Sequence, residues 1–269
     1  TPVIDSLSQK WPQAQIDVLL YEETRDMLAA HPAIGTIYGI DRKWKQLGTL
    51  KHLQKEWQLL RALRNQHYHL VINLADQWRS AIVTRFTGAS VRLGFAFNKR
   101  NSAFWRFCHT DLVSVDGHKS LHTVEQNLSI LGPLPVAPQP AVTMAYTAED
   151  WDHARQRLTQ TGVGERYIVI QPTSRWFFKC WSEDKMAQTI SALQQEGHTV
   201  VLTAGPDKKE LAMIDRILAA SPKTGVVSLA GQLTLRQLAS LIDHACLFIG
   251  VDSVPMHMAA ALQTPCVAL

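Results

Sequence analysis

A group of polar and cationic residues has the chemistry of a phosphate-binding loop. It reads Gln171-Pro172-Thr173-Ser174-Arg175, follows an apolar run and is followed by Lys179 shortly before a helical pattern. Hydroxyls, backbone amides, an Arg and a Lys near a helix start favour an anion, because the amides and the helix dipole both present partial positive charge. A polar loop that only turns the chain would have the same composition. From this segment alone both interpretations stay open.

A second segment of the same kind lies near the end of the chain. It reads Gly250-Val251-Asp252-Ser253-Val254-Pro255-Met256-His257 and joins a strand pattern to a helix pattern. Free amides at the start of that helix can meet a diphosphate. Asp252 could instead be a simple helix cap, and a single histidine such as His257 is more often structural than catalytic.

Two more loops of this half connect strand patterns to helix patterns. They read Ala204-Gly205-Pro206-Asp207 and Gly231-Gln232-Leu233-Thr234. A carboxylate such as Asp207 suits the ribose hydroxyls of a nucleoside. The alternative is that these loops are ordinary turns.

The first half of the chain holds one polar turn and one basic helix pattern. The turn is Asn73-Leu74-Ala75-Asp76-Gln77-Trp78-Arg79-Ser80, and the helix carries Lys51, Lys55, Arg61 and Arg64. Such a helix can face an anionic acceptor, although an exposed amphipathic face is slightly favoured by the pattern alone.

Strand and helix patterns that alternate along the chain must position these loops. We expect strands at 16–21, 34–40, 70–74, 91–95, 167–171, 199–203, 226–229, 246–250 and 265–269, and helices at 3–10, 50–64, 80–86, 148–161, 182–195, 206–218, from 234 and at 255–262. This alternation predicts parallel sheets with crossover helices, whose ligands bind beyond the carboxyl ends of the strands. Four prolines at 133–140 interrupt it. The sequence therefore predicts two Rossmann-like domains, 1–132 and 143–269, joined by a linker at 133–142.

Composition excludes several classes of protein. The chain is 46% hydrophobic and 19% charged, which is typical of a folded protein rather than a disordered one. No apolar run approaches the roughly 20 residues that span a bilayer. Four scattered cysteines without C-x-x-C spacing favour reduced thiols over a zinc site. Residues 1–140 hold 16 Lys and Arg against 11 Asp and Glu, which suits an anionic partner.

Several catalytic motifs are missing from the sequence. Gly162-Val163-Gly164 precedes a strand and lacks the third glycine of a dinucleotide fingerprint. The sequence has no P-loop, no His-Glu-x-x-His and no Gly-x-Ser-x-Gly. These absences weaken the dehydrogenase, P-loop kinase, zinc protease and α/β-hydrolase interpretations.

The two phosphate-type segments, together with residues 73–81, resemble the ADP-heptose:lipopolysaccharide heptosyltransferases over nearly the whole chain. Residues 175–181 and 252–257 are most similar to a branch that adds a third heptose to the inner core. The resemblance implies the GT-B architecture, in which two Rossmann-like domains face each other across a cleft. It also implies inverting transfer of L-glycero-D-manno-heptose from ADP-heptose to the lipopolysaccharide inner core, with ADP as product and no cofactor or metal.

The resemblance also implies roles for individual residues. Lys179 and Arg175 would stabilise the leaving diphosphate, which makes them the catalytic candidates. The donor-binding positions are Thr173, Ser174, Lys179, Asp207, Leu233, Asp252, Ser253, Val254 and His257, with Asp207 on the ribose and Leu233 in the adenine pocket. The acceptor-side candidates are Asp76, Gln77, Arg79, Arg61 and Arg64.

One expectation concerns the catalytic base. In the family an Asp in a first strand and turn is the proposed base, and Thr1 matches a position just downstream of it. The family also continues past the position matching Leu269. We therefore expect the chain to be truncated at both ends, to bind ADP weakly and to transfer heptose poorly, with Asp76 as a less favoured substitute base.

The expected partners are a nucleotide-sugar donor, the lipopolysaccharide acceptor and the cytoplasmic surface of the inner membrane, where the basic first half would meet anionic groups peripherally. One alternative is a GT-B transferase that uses another nucleotide sugar. Another is a non-catalytic nucleotide or sugar-phosphate binding module. A nucleic-acid partner is not expected, because aromatic residues are not regularly interleaved with the cations.

Overall fold

The computed structural model describes every residue except Asn101 and Lys223, and the chain forms two compact units. The first contains Thr1–Arg25 and Ala33–Val142, and the second contains Asp26–Pro32 and Thr143–Leu269. The short segment Asp26–Pro32 therefore differs from the expectation that the first 132 residues stay together. Met27 explains this difference, because it packs against the hydrophobic core of the second unit.

The first unit contains two small parallel sheets. Its elements are α1 (Pro2–Lys10), β1 (Ile16–Tyr21), β2 (Ile34–Ile40), α2 (Thr49–Arg64), β3 (Leu70–Asn73), α3 (Trp78–Phe86), β4 (Val91–Phe95), α4 (Ala103–Cys108), β5 (Asp111–Val113) and α5 (Thr123–Leu128). Strands β1 and β2 pair in parallel, and β3, β4 and β5 form a separate parallel sheet in that order. The carboxyl ends of β3, β4 and β5 therefore share one edge.

The proline-rich segment begins as part of the first unit rather than as a free linker. Val136 is buried in the same core cluster as Leu93 and Ile130. The backbone amide of Gln139 donates to the Ser6 hydroxyl at 2.9 Å. Since proline carries no amide hydrogen, these contacts hold a segment that cannot join a sheet ladder.

The second unit is a five-stranded parallel sheet with helices on both faces. Its elements are α6 (Ala148–Gln160), β6 (Ile168–Gln171), α7 (Glu183–Gln195), β7 (Val200–Leu202), α8 (Lys208–Ala220), β8 (Val226–Ser228), α9 (Leu235–Asp243), β9 (Leu247–Gly250), α10 (Val254–Ala261) and β10 (Cys266–Ala268). The strands lie in the order β10-β9-β6-β7-β8, and every neighbouring pair is parallel. This is the doubly wound order of a Rossmann-like sheet.

Alternate strand residues point to two separate cores, as the pleat of a strand requires. Val169 and Val201 belong to a cluster that includes residues of α6, α9 and α10, whereas Ile170 and Leu202 belong to a cluster with residues of α7 and α8. All four of these strand side chains are fully buried. The sheet is therefore covered on both faces, which leaves its edge loops as the open surface.

No helix in the described part of the chain is long and apolar enough to cross a membrane. The four cysteines are unpaired thiols: Cys108 is buried, Cys180 is half-buried, and Cys246 and Cys266 are exposed.

Candidate active site

The strand order brings the two phosphate-type segments side by side. Strands β6 and β9 are neighbours, with Gln171 opposite Gly250 in the register. The chain leaves β6 toward α7 on one face and leaves β9 toward α10 on the other. The chain continues from β6 to β7 on one side and from β9 to β10 on the other, so this pair is the switch point at which the strand order reverses and a crevice opens beyond the strand ends.

Three of the predicted donor-site residues meet at this switch point. The Lys179 ammonium nitrogen lies 2.6 Å from Asp252 Oδ2, and the His257 Nε2 atom lies 3.6 Å from Asp252 Oδ1. The hydrogen bond from Lys179 and its positive charge lower the pKa of Asp252 below its ordinary range. Because all three side chains reach solvent, they can also contact a ligand.

The start of α10 adds backbone groups to this cluster. Ser253 is the N-cap residue, but its hydroxyl donates to the Val251 carbonyl at 3.1 Å and caps no amide of the helix. Val254, the first helical residue, is 49% exposed. Pro255 carries no amide hydrogen and the Met256 amide donates to the Ser253 carbonyl at 3.2 Å, so the amides of Ser253 and Val254 are the ones that this helix start offers to an anion beside the lysine.

The loop after β6 is held from below by a buried hydrogen-bond network. Thr173 is fully buried; its hydroxyl accepts from Gln171 Nε2 at 2.8 Å and donates to Glu210 Oε2 at 2.6 Å. The Thr203 hydroxyl donates to Gln171 Oε1 at 2.7 Å, and the Gly205 amide donates to Glu210 Oε2 at 3.1 Å. The network therefore ties the loops after β6 and β7 to each other.

Glu210 is a site residue that the sequence analysis missed. It lies in the first turn of α8, where an acidic residue is usually interpreted as a response to the helix dipole. Its tertiary partner Thr173 is 37 positions away in the chain. Thr173 was expected to contact the donor diphosphate. Its hydroxyl instead forms hydrogen bonds with Gln171 and Glu210 inside the protein, and these contacts position the loop.

The remaining residues of the β6 loop differ in exposure. Ser174 is buried, and its hydroxyl accepts from the Trp176 amide at 3.3 Å. Arg175 is exposed. The loop thus presents one cation at its surface while its hydroxyls face inward.

The predicted nucleoside residues lie farther along the same edge. Asp207 caps α8, and its Oδ1 atom accepts from the Lys209 amide at 2.8 Å. The helix begins at Lys208, two positions later than expected from Pro206, because Asp207 and not proline occupies the capping position. Leu233 belongs to the loop after β8, where it is half-buried and packs against the hydrophobic core. The structure brings neither residue into contact with Lys179.

In the first unit, the turn after β3 is held by several polar contacts. Asp76 forms an ion pair with Lys99, and this hydrogen bond lowers the pKa of the Asp76 carboxyl. The Gln77 side-chain oxygen accepts from the Tyr21 hydroxyl at 3.0 Å. These contacts fix the turn at the carboxyl edge of the three-stranded sheet.

The five acceptor-side candidates do not form one cluster. Arg79, at the start of α3, lies 2.7 Å from Glu56 Oε1, whereas Arg64 donates to the Phe86 carbonyl at the other end of α3. Nine helical residues separate those ends by roughly 13 Å. Arg61 is exposed one turn before Arg64 on α2. Arg61 and Arg64 therefore lie away from Asp76, because α2 runs alongside α3 instead of ending near its start.

No group of three or more His, Cys, Asp and Glu side chains in the described residues is arranged to hold a metal ion.

Comparison with known protein families shows which family the chain belongs to. The sequence profile of Glycosyltransferase family 9 (heptosyltransferase) matches residues 56–269, which include both switch-point loops. The chain belongs to this family. Two curated family 9 relatives, both named lipopolysaccharide heptosyltransferase 3, come from Escherichia coli and its strain K12. They are 44% and 42% identical over 100% of this chain, which covers 78% and 77% of their lengths.

Solved structures of family 9 share the fold. A glycosyltransferase family 9 structure from Veillonella parvula DSM 2008 matches 99% of this chain and 75% of its own, with a TM-score of 0.84 at 19% identity. An E. coli heptosyltransferase solved with ADP-2-deoxy-2-fluoro heptose matches 99% of this chain and 82% of its own, with a TM-score of 0.77 at 21% identity. The α/β architecture with parallel sheets is thus that of heptosyltransferases.

Proposed function

We propose that this chain is an inverting heptosyltransferase of lipopolysaccharide core biosynthesis. An acceptor hydroxyl of the inner core gives its proton to a base and attacks the anomeric carbon of ADP-L-glycero-D-manno-heptose, the bond from that carbon to the diphosphate oxygen breaks, and ADP leaves with the electron pair. Support comes from family 9 membership and from two relatives named lipopolysaccharide heptosyltransferase 3. The facing arrangement of the two domains across a cleft stays a prediction.

The observation that carries the donor side is the cluster of Lys179, Asp252 and His257 at the switch point. An ammonium group has three N–H donors, so Lys179 can maintain its hydrogen bond to Asp252 and still donate to a phosphate oxygen. Its charge opposes the negative charge that builds on the leaving diphosphate, and Arg175 supplies a second cation from the same loop. The start of α10, at Ser253 and Val254, offers amides to the same group.

The other donor positions receive the nucleoside. Asp207, exposed at the edge, accepts from the ribose hydroxyls, and Leu233 lines the adenine pocket. Thr173 and Ser174 shape the loop that carries Arg175 and offer it backbone amides. These roles follow the family resemblance and the order of the loops along one sheet edge.

On the acceptor side we assign Asp76, Gln77 and Arg79 to the contact with the lipopolysaccharide core. The lowered pKa of Asp76 argues against Asp76 as the base that deprotonates the acceptor hydroxyl, because a carboxylate with a lower pKa holds a proton less well. Since the acceptor is a membrane lipid, we place the enzyme at the cytoplasmic face of the inner membrane as a peripheral protein.

Calorimetric titration with ADP, UDP and GDP tests the donor site. We expect ADP to bind most tightly and Lys179→Ala to weaken ADP binding by about 10- to 100-fold, the range for a charge-assisted hydrogen bond. Arg155→Ala is the matched control, because Arg155 forms an exposed ion pair with Asp152 at 2.9 Å on the same unit. Tighter binding of UDP or GDP would favour a transferase with another nucleotide sugar. A cooperatively melting chain that binds no nucleotide would contradict the proposal.

A further inference from the structure

Helix α2 exposes an apolar stripe that the fold leaves uncovered. Leu50, Leu53 and Trp57 are 84%, 59% and 60% exposed. Their spacing of three and four residues places them on one side of the helix. Soluble proteins expose single apolar side chains routinely, but a contiguous patch of large ones marks an interaction surface.

The stripe continues onto the two neighbouring helices. On α3, Ile82 and Phe86 are 39% and 40% exposed, and the Phe86 ring meets the Trp57 ring edge-on with centroids 6.3 Å apart. On α4, Phe107 is 60% exposed and lies under the Arg85 guanidinium at 4.8 Å. We call the six residues Leu50, Leu53, Trp57, Ile82, Phe86 and Phe107 the apolar face.

The helices that carry the apolar face are strongly basic. Together α2, α3 and α4 contain seven Lys and Arg residues and a single carboxylate. That carboxylate, Glu56, is 2.7 Å from Arg79 and therefore does not offset the other cations. Lys51 and Lys55 are exposed on α2 among the apolar residues. Long cationic side chains beside an apolar stripe can extend to a charged boundary while their stems stay with the apolar groups.

We infer that the apolar face docks the first unit onto the surface of an anionic lipid bilayer. A helix with exposed Leu and Trp on one side and Lys and Arg beside them lies in the membrane interface, where apolar groups enter the acyl boundary and cations meet anionic headgroups. The inference rests on the proposed membrane-side acceptor for its choice of lipid as the occupant. The face itself is observed independently of any transfer activity.

Charge and residue type favour a bilayer over other occupants. A symmetric contact between two copies of this face would bring Lys51 and Lys55 of one copy toward the cations of the other, and like charges oppose association. Single-stranded nucleic acid binds by stacking its bases on aromatic rings. Leu50, Leu53 and Ile82 are aliphatic and offer no ring for that contact. A bilayer with anionic headgroups accommodates both the aliphatic side chains and the cations.

Flotation with phosphatidylcholine vesicles, with and without phosphatidylglycerol, measures the interaction. We expect binding that depends on phosphatidylglycerol, and about 30-fold weaker binding for Lys51→Gln with Lys55→Gln, since each basic residue near such a surface contributes about a fivefold factor. Leu50→Ser with Leu53→Ser should weaken binding at least about tenfold. The matched controls are Lys10→Gln and Leu121→Ser, also exposed on the first unit, and they should bind as the parent does.

Several results would overturn the inference. Equal vesicle binding by the parent, the two double variants and the controls would show that the face is not the contact. Dimerisation lost in Trp57→Ser, or tight binding of random oligonucleotides without vesicle binding, would assign the face to another occupant. All substituted side chains are exposed, so an unchanged melting transition verifies the fold. An ADP titration of each variant separates failure of the docking surface from failure of the proposed donor site.

Discussion

Replacing Thr173 by Val tests whether the buried network holds the donor loop. Valine has nearly the same shape as threonine but exchanges the hydroxyl for a methyl group. At this fully buried position the change removes a hydrogen bond accepted at 2.8 Å from Gln171 and one donated at 2.6 Å to Glu210. No space opens, so the lost polar contacts dominate the effect.

The expected loss of stability follows from those two contacts. A hydrogen bond to a carboxylate contributes about 1.5–3 kcal/mol, and a buried amide that loses a partner costs about 1–3 kcal/mol. In the variant, Glu210 still accepts a hydrogen bond from the Gly205 amide at 3.1 Å, and Gln171 Nε2 still donates weakly to the backbone carbonyl of residue 173 at 3.4 Å. We therefore expect a net loss of about 2–4 kcal/mol in the free energy of unfolding.

Thermal melting and urea unfolding followed by circular dichroism measure this loss. At this chain length 2–4 kcal/mol corresponds to a Tm lower by about 5–12 °C. Thr159→Val is the matched control: it makes the same chemical change on exposed α6, where the Thr159 hydroxyl bonds only the Arg155 carbonyl, and should stay within about 0.5 kcal/mol of the parent.

A third substitution tests whether the Thr173 hydroxyl supports ADP binding. Thr173→Ser keeps the hydroxyl, so it should retain most of the ADP affinity that Thr173→Val loses, at a cost in stability for one buried methyl of about 1 kcal/mol. Equal melting of Thr173→Val and Thr159→Val, or equal ADP binding by Thr173→Ser and Thr173→Val, would show that the network does not hold the donor loop.

Two further predictions concern the first unit. Lys99→Ala should return the pKa of Asp76 toward its ordinary value of 3.8, because Lys99 is the main cause of the lowered pKa; NMR titration of the carboxyl carbon measures this, and Lys119→Ala should leave it unchanged. Since the folded-state pKa is lowered, the stability from this pair is present above the ordinary aspartate pKa and is lost as the pH falls through the lowered value. Gly94→Ala should destabilise the unit by about 1–3 kcal/mol in urea titrations, since the added Cβ would lie 2.5 Å from the buried ring of His109. Gly164→Ala, with no atom within 4 Å, is its control.

Long elements with a clear period were predictable from the sequence. The strands at 168–171 and 247–250 and the helix that Thr234 caps lie where the pattern indicated, because burial on one face imposes a regular spacing on such segments. Helices α4 and α5 and strand β5 were missed. With six, six and three residues, they are too short for a period to show. Ser102, whose side chain accepts from the Trp105 amide, is the N-cap of α4.

Contacts between distant side chains were not predictable in the same way. The loops with Lys179 and Asp252 could be recognised by composition, but the 2.6 Å ion pair between them joins residues 73 positions apart. The role of Glu210 was not predictable for the same reason, because its partner Thr173 is 37 positions away in the chain. Arg64 was grouped with Asp76 on charge alone, and only the direction of α2 beside α3 separates them.

The strand order explains why the donor cluster forms at this one place. Four loops leave the carboxyl edge of the second unit's sheet, but β6 and β9 are the neighbours from which the chain continues in opposite directions along the sheet, to β7 on one side and to β10 on the other. Their loops therefore diverge, which leaves a crevice that Lys179 crosses from the β6 side to reach Asp252 on the β9 side. The loops after β6 and β7 do not diverge in this way, since the chain continues from both strands in the same direction along the sheet and Thr173 and Glu210 tie the two loops together. The composition of the β6 loop is thus compatible with phosphate binding. Because this loop lies beside β9, the loop after β9 forms the other side of the crevice.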